Sequence, residues 1–280
     1  MQRSLVGVLR WMPLPLIYCG MALFVVPFYM LFNHQGYISQ YHYFRRRFGR
    51  TPGRAFLDVY LNHVRFGQII LDRFAFYGGR RFKLIIEGNE RFMSKTYEPE
   101  GMMQFGAHVG NFELAGYMLS QDRKRINALV FGGETGTVMQ NRVRIFDQQN
   151  LRLILTGEGM DHVYEMNRAL ADGEIVSMHG DRLFGSQKAI PCQVLGATAL
   201  LPMGPFILAA SREVPVFCTF VMKESVNTYH IYVHQLERLA GAPVREQAAA
   251  LAQAFGDRLT DILQRYPHQW LNYYEFWQNE

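Results

Sequence analysis

The chain has 280 residues, 49% of them hydrophobic, so it is long enough and apolar enough to bury a sizeable core. Its 29 Lys and Arg residues outnumber its 24 Asp and Glu residues, and the resulting net charge of +5 favours anionic partners. Charged residues make up only 19% of the chain and aromatic residues 14%, which suits apolar or interfacial ligands and argues against nucleic acid as a partner. The three cysteines have no paired spacing, which argues against a disulfide framework or a structural zinc site and favours a reducing compartment.

The first feature along the chain is an uncharged apolar segment of 22 residues, from Trp11 to Phe32. A helix of this length can cross the hydrocarbon core of a bilayer. Three prolines interrupt the segment, so a kinked span, a re-entrant segment and a hydrophobic hairpin within one leaflet are all compatible with it. Because no small-residue cleavage site follows, we predict a membrane anchor over residues 1–35 and not a cleaved signal peptide.

Arginines on both sides of the anchor indicate its orientation. Arg3 and Arg10 precede it, and the arginines between residues 45 and 50 follow it, so the positive-inside rule places the main domain on the cytoplasmic side. Residues 33–53 are rich in aromatic and basic side chains. That composition suits the lipid headgroup layer and an ordinary solvated linker equally well.

The rest of the chain alternates predicted helices with predicted strands and has no internal repeat or long polar linker. An amphipathic helix is predicted over residues 54–76, and a second helix is predicted to begin near Asn111 and to run through Leu119. Strands are predicted at 82–86, 102–107, 126–131, 151–155, 174–178, 215–222 and 228–235, and further helices near 161–171, 203–212 and 244–264. We therefore predict one α/β domain over residues 36–280.

The strongest local motif is a histidine at a predicted strand end, followed by a glycine turn and a glutamate. Residues five apart lie about 140° apart around a helix, so His108 and Glu113 meet only if the chain turns between them, and Gly110 permits that turn. The carboxylate would then fix one ring nitrogen and leave the other as a base near neutral pH. A buried histidine with a purely structural partner fits the same spacing.

The sequence offers this histidine no enzyme nucleophile. It contains no Gly-x-Ser-x-Gly motif, and its cysteines lie in apolar surroundings without an adjacent activating base. A base at His108 would therefore activate a hydroxyl or an amine of a substrate.

These residues resemble the lysophospholipid-type acyltransferases and, within them, the bacterial lipid A late acyltransferases. The hallmark of that family is His-x4-Asp/Glu, matched by His108 and Glu113. The resemblance extends along most of the chain and includes the apolar N-terminal anchor, Glu87-Gly88, Gly173-Glu174-Ile175-Val176, Gly180-Asp181-Arg182, Gly196-Ala197-Thr198 with Pro202, and Tyr266-Pro267-His268-Gln269-Trp270.

The resemblance implies a central mixed sheet flanked by helices, behind a hydrophobic membrane-anchor helix. It implies an enzyme at the cytoplasmic face of the bacterial inner membrane that takes an acyl chain from acyl carrier protein, or less often from acyl coenzyme A, and passes it to a hydroxyl of a lipid or glycolipid. His108 would deprotonate that hydroxyl and Glu113 would orient His108. No metal or nucleotide cofactor is expected.

Further residues are candidates for substrate binding. The backbone amides of Gly110 and Asn111, at a helix N-terminus, are predicted to stabilise the tetrahedral oxyanion. Asp181 and Arg182 follow a strand and are predicted to border the site, although an ion pair that holds a loop fits them equally well. The family pattern suggests that Arg152 holds a phosphate of the acceptor or donor, with Arg144 as its competitor.

Charge clusters and histidine pairs give weaker predictions. The basic clusters 123–125 and 142–144 are candidate docking sites for acidic acyl carrier protein, although charge runs are usually solvated. His230 and His234 share one strand face, but the sequence places no third ligand nearby, so we predict no metal site.

The C-terminal segment departs from the family pattern. Lipid A enzymes commonly carry a basic segment there, whereas residues 271–277 read Leu-Asn-Tyr-Tyr-Glu-Phe-Trp. This composition favours a neutral glycolipid or a lysophospholipid over a highly phosphorylated acceptor. The alternatives to the main prediction are a glycerophospholipid acyltransferase and a non-catalytic lipid-binding protein with the same fold.

Overall fold

The structure is a computed structural model that describes residues 11–32, 34–114, 123–131, 150–157, 159–183 and 188–278. Its helices are α1 (Leu14–Gly20), a π-helical turn (Met21–Val25), α2 (Val26–Phe32), α3 (His34–Arg47), α4 (Pro52–Tyr77), α5 (Asn89–Lys95), α6 (Asp161–Ala171), α7 (Met203–Arg212), α8 (Val244–Arg265) and a short 3-10 turn (Pro267–Gln269). Its strands are β1 (Lys83–Glu87), β2 (Met102–Gly106), β3 (Ile126–Phe131), β4 (Leu151–Thr156), β5 (Ile175–His179), β6 (Ala189–Val194), β7 (Ala197–Pro202), β8 (Val216–Lys223) and β9 (Thr228–Leu236).

Seven of these strands form one mixed sheet in the order β1-β9-β8-β2-β5-β3-β4. All neighbouring pairs are parallel except β8 and β9, which are antiparallel. The predicted α/β class, with a mixed sheet flanked by helices, is confirmed. Because β2 and β5 are parallel neighbours near the middle of the sheet, their carboxyl ends lie side by side at one edge.

Alternating side chains on the central strands build an apolar core on each face of the sheet. On β2, Met103 and Phe105 face the larger core, which also contains Phe206 of α7 and Phe255 of α8, whereas Met102 faces the smaller core. The eight residues of β8 are all buried. Continuous burial on both faces explains why the central strands read as unbroken apolar runs in the sequence.

The structure contains elements that the sequence pattern did not reveal. Residues 34–47, predicted as headgroup-layer or linker sequence, form helix α3, whose buried Tyr43 and Phe44 join the larger core. Helix α5 and the hairpin β6–β7 were also missed. Two residues with positive φ, Leu195 and Gly196, turn that hairpin. Leucine is rare in such a turn, so the sequence carries no ordinary hairpin signal there.

The N-terminal apolar segment is helical, with one irregular turn at a proline. The π-helical turn ends directly before α2, whose second residue is Pro27. Because proline has no N–H and its ring collides with the carbonyl four residues earlier, a wider turn accommodates it without breaking the helix. By length and apolar composition, Leu14–Phe32 is a candidate membrane span.

Candidate active site

The parallel pairing of β2 with β5 brings the motif histidine to an acidic side chain. Gly106 is in register with His179, so the residues that follow the two strands, His108 and Asp181, meet at the same sheet edge. The Nδ1 atom of His108 lies 2.8 Å from Oδ1 of Asp181. The backbone N–H of His108 donates a second hydrogen bond of 2.8 Å to Oδ2 of Asp181. Both carboxylate oxygens are therefore directed at one residue.

This arrangement defines the charge of Asp181 and the tautomer of the histidine. Asp181 is only 2% exposed. Burial alone would raise the pKa of Asp181, but the adjacent His108, its hydrogen bonds and the nearby His179 lower that pKa to about 2. An ionised carboxylate only accepts hydrogen bonds, so Nδ1 of the neutral ring carries the proton and Nε2 carries the lone pair.

The structure changes the predicted role of Glu113. We expected Glu113 to orient His108, but Asp181 takes that position at Nδ1. The carboxylate of Glu113 accepts hydrogen bonds from the Arg73 guanidinium and from the Tyr77 hydroxyl, the latter at 3.2 Å. Both partners lie on helix α4. Glu113 is thus paired with a permanent cation, whereas Asp181 is paired with the motif histidine.

The backbone amides of Gly110 and Asn111, predicted to stabilise an oxyanion, have hydrogen-bond partners within the fold. The amide of Gly110 donates to the carbonyl of Gln269, and the amide of Asn111 donates to the carbonyl of Val221, each at 2.8 Å. These bonds bind the turn after His108 to β8 and to the C-terminal segment. Both amides are therefore already used, and the turn serves to hold His108 in place.

A buried polar network lies behind this turn, and sequence reasoning missed it. The side-chain amide of Asn111 donates to the Tyr229 hydroxyl at 3.2 Å, and that hydroxyl donates to Asp72 of α4. The same carboxylate accepts a hydrogen bond from the Tyr18 hydroxyl of the apolar segment and forms an ion pair with Lys223. Asn111 thus joins the motif loop to α4.

A second histidine that the sequence did not single out stands beside the first. The ring centroids of His108 and His179 are 4.5 Å apart, and Phe112 packs against both rings at 5.2 Å and 4.7 Å. The available signal was positional, because His179 ends the strand that leads to Asp181. These rings pack around the Asp181 side of the site.

Arg182 lines a cavity that adjoins Asp181. Its guanidinium donates to the carbonyl of Leu271 at 3.1 Å and lies 5.6 Å from the ring centroid of Tyr274, whose hydroxyl donates to the carbonyl of Asp181 at 3.0 Å. The cavity has a volume of about 380 Å³. Its lining residues are Arg182, Leu183, Leu200, Tyr274, Glu275, Phe276, Trp277 and Gln278. The C-terminal segment therefore forms one wall of the predicted site.

The remaining predicted residues lie elsewhere. Arg152 is in register with Asn127 near the beginning of the outer strand β4, away from the carboxyl ends, and it pairs with Glu165 at 2.8 Å. Lys124, one of the candidate docking residues for acyl carrier protein, is buried and donates to the carbonyls of Glu100 and Gly173. The charges of Arg152 and Lys124 therefore both have local partners in the structure. Residues 142–144 lie outside the described part of the chain.

The histidines of β9 are likewise engaged with their neighbours. Nδ1 of His230 lies 3.3 Å from Glu224, and Nε2 lies 3.3 Å from Glu87. Over the described residues, no group of three or more histidine, cysteine or acidic side chains is arranged to hold a metal ion.

Comparison with known proteins identifies the family. The family model for bacterial lipid A biosynthesis acyltransferases matches residues 73–278. The chain belongs to this family. The match contains the carboxyl ends of β2 and β5, His108 and Asp181, as well as the C-terminal segment that lines the cavity. This lipid A biosynthesis family member is therefore an acyltransferase that acts on lipid, as the sequence motifs predicted.

A search of curated proteins finds no match. Among solved structures, the chain is similar to the crystal structure of the 1-acyl-sn-glycerophosphate acyltransferase PlsC from Thermotoga maritima. The identity is 12%, the similarity covers 94% of this chain and 98% of that one, and the TM-score is 0.43.

Proposed function

We propose that this acyltransferase moves a fatty acyl group from the thioester of acyl carrier protein, or of coenzyme A, to a hydroxyl of a lipid or glycolipid at the cytoplasmic face of the bacterial inner membrane. The observation that supports this proposal is the 2.8 Å contact between Nδ1 of His108 and Asp181. A carboxylate at Nδ1 leaves Nε2 of the neutral ring as a proton acceptor.

The mechanism follows from this tautomer. Nε2 of His108 removes the proton from the acceptor hydroxyl as its oxygen attacks the thioester carbonyl, and the ionised Asp181 stabilises the imidazolium that forms. The tetrahedral oxyanion then collapses, the carbon–sulfur bond breaks, and the imidazolium returns its proton to the departing thiolate. An ester and a free thiol result, with no enzyme-bound acyl intermediate.

We assign the polar part of the acceptor to the cavity lined by Arg182 and Tyr274. It adjoins Asp181, and it combines one guanidinium, one carboxylate and several aromatic rings. Such a lining suits a polar headgroup with few phosphates, in agreement with the acidic and aromatic C-terminal sequence. Acyl carrier protein is the proposed donor partner, and the exposed Arg123, whose guanidinium lies 3.4 Å from the Tyr97 ring centroid, remains a candidate docking residue.

Release of carrier protein from its acylated form tests the proposal. Detergent-purified wild type and His108→Ala are incubated with acylated carrier and a bacterial lipid extract, and intact-protein mass spectrometry follows the loss of the acyl group. The matched control is His230→Ala, because His230 is also partly buried between polar groups but lies on β9, outside the site. We expect lipid-dependent release by wild type and by the control, and none by His108→Ala.

The donor and acceptor are read from the same assay. Release from acyl coenzyme A but not from acylated carrier would make acyl coenzyme A the donor. The protein would then be assigned as a glycerophospholipid acyltransferase. If neither donor is consumed in the presence of lipid, the acyl-transfer proposal is wrong and a lipid-binding role replaces it. Mass analysis of the acylated lipid identifies the acceptor class.

A further inference from the structure

The apolar N-terminal segment is docked along helix α4 over nearly its full length. The Met12 carbonyl accepts a hydrogen bond from Arg80 at 2.9 Å, and Tyr18 donates to Asp72. Farther along, Met21 packs so closely on Gly67 that a Cβ there would collide with its sulfur, and the ring centroid of Tyr29 lies 5.8 Å from that of His63. The two segments therefore run antiparallel. Residues 12 to 29 span about 26 Å of helix, close to the thickness of a hydrocarbon core.

This docking is incompatible with a segment that crosses the bilayer. If it crossed, α4 would lie at the same depth, together with the strands to which α4 is tied. Asp72 of α4 forms a buried ion pair with Lys223 of β8, and Arg73 pairs with Glu113 beside the motif histidine. Among the strands that the structure describes, β1 and β4 also stand at the two edges of the sheet. Charged groups and unpaired strand edges are not tolerated in hydrocarbon.

The opposite face of the segment is apolar and exposed. Only 17% of its most hydrophobic window is buried. Large apolar side chains on this face have exposed fractions of 60% to 76%, namely Leu16, Leu23, Phe24, Phe28, Leu31 and Phe32. The exposed Ile38, Phe56 and Leu57 continue the apolar surface onto α3 and α4. A patch of this size on a protein marks a contact with another apolar phase.

Exposed basic residues lie on α3 and α4, the two helices that continue the apolar surface. Arg45 and Arg46 at the end of α3 and Arg54 at the beginning of α4 are exposed. An apolar helix face with arginines beside it is typical of a helix that lies in the membrane interface and attracts anionic headgroups. The occupant that fits both features is one leaflet of a bilayer that contains anionic phospholipid.

We propose that residues 14–32 lie along the surface of the cytoplasmic leaflet, with their apolar face in the acyl chains and both ends on the same side of the membrane. The inference deepens the membrane location given in the proposed function. It also brings the site close to its lipid, because α4 contacts the segment through Asp72 and the active-site loop through the next residue, Arg73. One helix diameter, about 10 Å, then separates the bilayer surface from Glu113.

A depth measurement tests this orientation. Cys19 is the exposed cysteine, while Cys192 and Cys218 are buried, so a thiol-specific nitroxide reports on a chosen site. In a Cys19→Ser background, Leu16→Cys, Leu23→Cys and Phe32→Cys are labelled one at a time in the full-length enzyme. The enzyme is reconstituted in vesicles of phosphatidylethanolamine and phosphatidylglycerol. Oxygen and a water-soluble nickel complex each enhance the relaxation of the nitroxide. The ratio of these two enhancements gives the depth of each label in the bilayer.

The expected result is one shared, shallow depth for the three labels. A helix perpendicular to the membrane would instead separate Leu16 from Phe32 by about 24 Å. A steady change of depth along the three positions, or labels that stay in water, would overturn the proposal. Binding that does not strengthen when phosphatidylglycerol replaces phosphatidylcholine would overturn the anionic-lipid part. None of these readouts uses acyl transfer, and the carrier-release assay works in detergent, so the two proposals fail separately.

Discussion

Asp181 and Glu113 are both acidic residues of the active-site region, but they sit in different surroundings. Asp181 is 2% exposed and directs both oxygens at His108. Glu113, on the far side of the glycine turn, has a side chain 12% exposed and is bound by Arg73 and Tyr77 of helix α4. Because arginine stays protonated at every relevant pH, the charge of Glu113 is already balanced. The comparison separates a carboxylate bound to the motif histidine from one that fastens the turn after that histidine to α4.

The substitution Asp181→Asn should have the largest effect on turnover. An asparagine can present its amide group to Nδ1 and so favour the tautomer with its proton on Nε2, which cannot accept a proton from substrate. We expect kcat to fall by about 10² to 10⁴-fold, the range of general-base catalysis. Steady-state kinetics of purified enzyme measure this. Asp172→Asn, which alters an exposed pair with Arg168, is the matched control. A kcat within threefold of wild type would show that Asp181 does not orient the base.

The turn that separates the two carboxylates predicts a loss of stability. Gly110 has a φ of +55°, and an added Cβ would collide with the backbone carbonyl of Val221. We expect Gly110→Ala to lower the free energy of unfolding by about 1–3 kcal/mol, because alanine at this positive φ is strained and its Cβ has no room. Thermal unfolding measures this. Gly204→Ala is the control, since a Cβ at that position on α7 meets no atom within 4 Å. Equal melting temperatures for the two variants would contradict the predicted collision.

Glu113→Gln gives a direct test of the comparison. Glutamine keeps the shape and the acceptor oxygen for Arg73 but removes the balancing charge, so we expect kcat/KM to fall about tenfold, which corresponds to about 1.4 kcal/mol. The measurement is a kinetic double-mutant cycle with Arg73→Gln. A strong coupling energy supports the pairing seen in the structure. A loss in Glu113→Gln as large as that in Asp181→Asn would give Glu113 the orienting role that its sequence position suggested.

The low pKa of Asp181 predicts a smaller effect, a dependence of the folding stability on pH. Its pKa in the folded protein, about 2, lies below its ordinary value of 3.8. The unfolded chain therefore binds a proton more readily, and the stability that this carboxylate contributes is present above about pH 4 and is lost as the pH falls toward 2. Between these values the melting temperature of wild type should fall more steeply than that of Asp181→Asn. Parallel curves would show that the carboxylate is not held ionised.

The sequence predicted the sheet and the position of His108 better than the partners of His108. Strand and helix patterns are local, so the strands that lead to His108 and Asp181 were found within a residue or two. The pairing of these two residues, 73 positions apart, depends on β2 lying next to β5 in the sheet. No local pattern encodes that order. Glu113 is close to His108 in sequence, but nearness along the chain does not bring its carboxylate to Nδ1.

The partners of two backbone amides could not be predicted from the sequence for a related reason. A glycine turn before a helix ordinarily offers N–H groups to an oxyanion. Here Gly110 and Asn111 form bonds to Gln269 and Val221, which lie more than a hundred residues away in sequence. The C-terminal motif that ends at Trp270 was recognised as a family feature. Its physical role, holding the turn after His108, became visible only in the folded chain.

Arg152→Ala should have the smallest effect, because its charge takes no part in either carboxylate site. Its guanidinium pairs with Glu165 with side chains 48% and 43% exposed, so the pair contributes at most about 0.5 kcal/mol after solvent screening. We expect kcat/KM for acylated carrier and lipid to change by less than twofold, measured beside Arg182→Ala, whose guanidinium lines the proposed acceptor cavity. A tenfold rise in KM for Arg152→Ala would show that substrate reaches across the sheet to β4, and the site would then extend well beyond the two carboxylates.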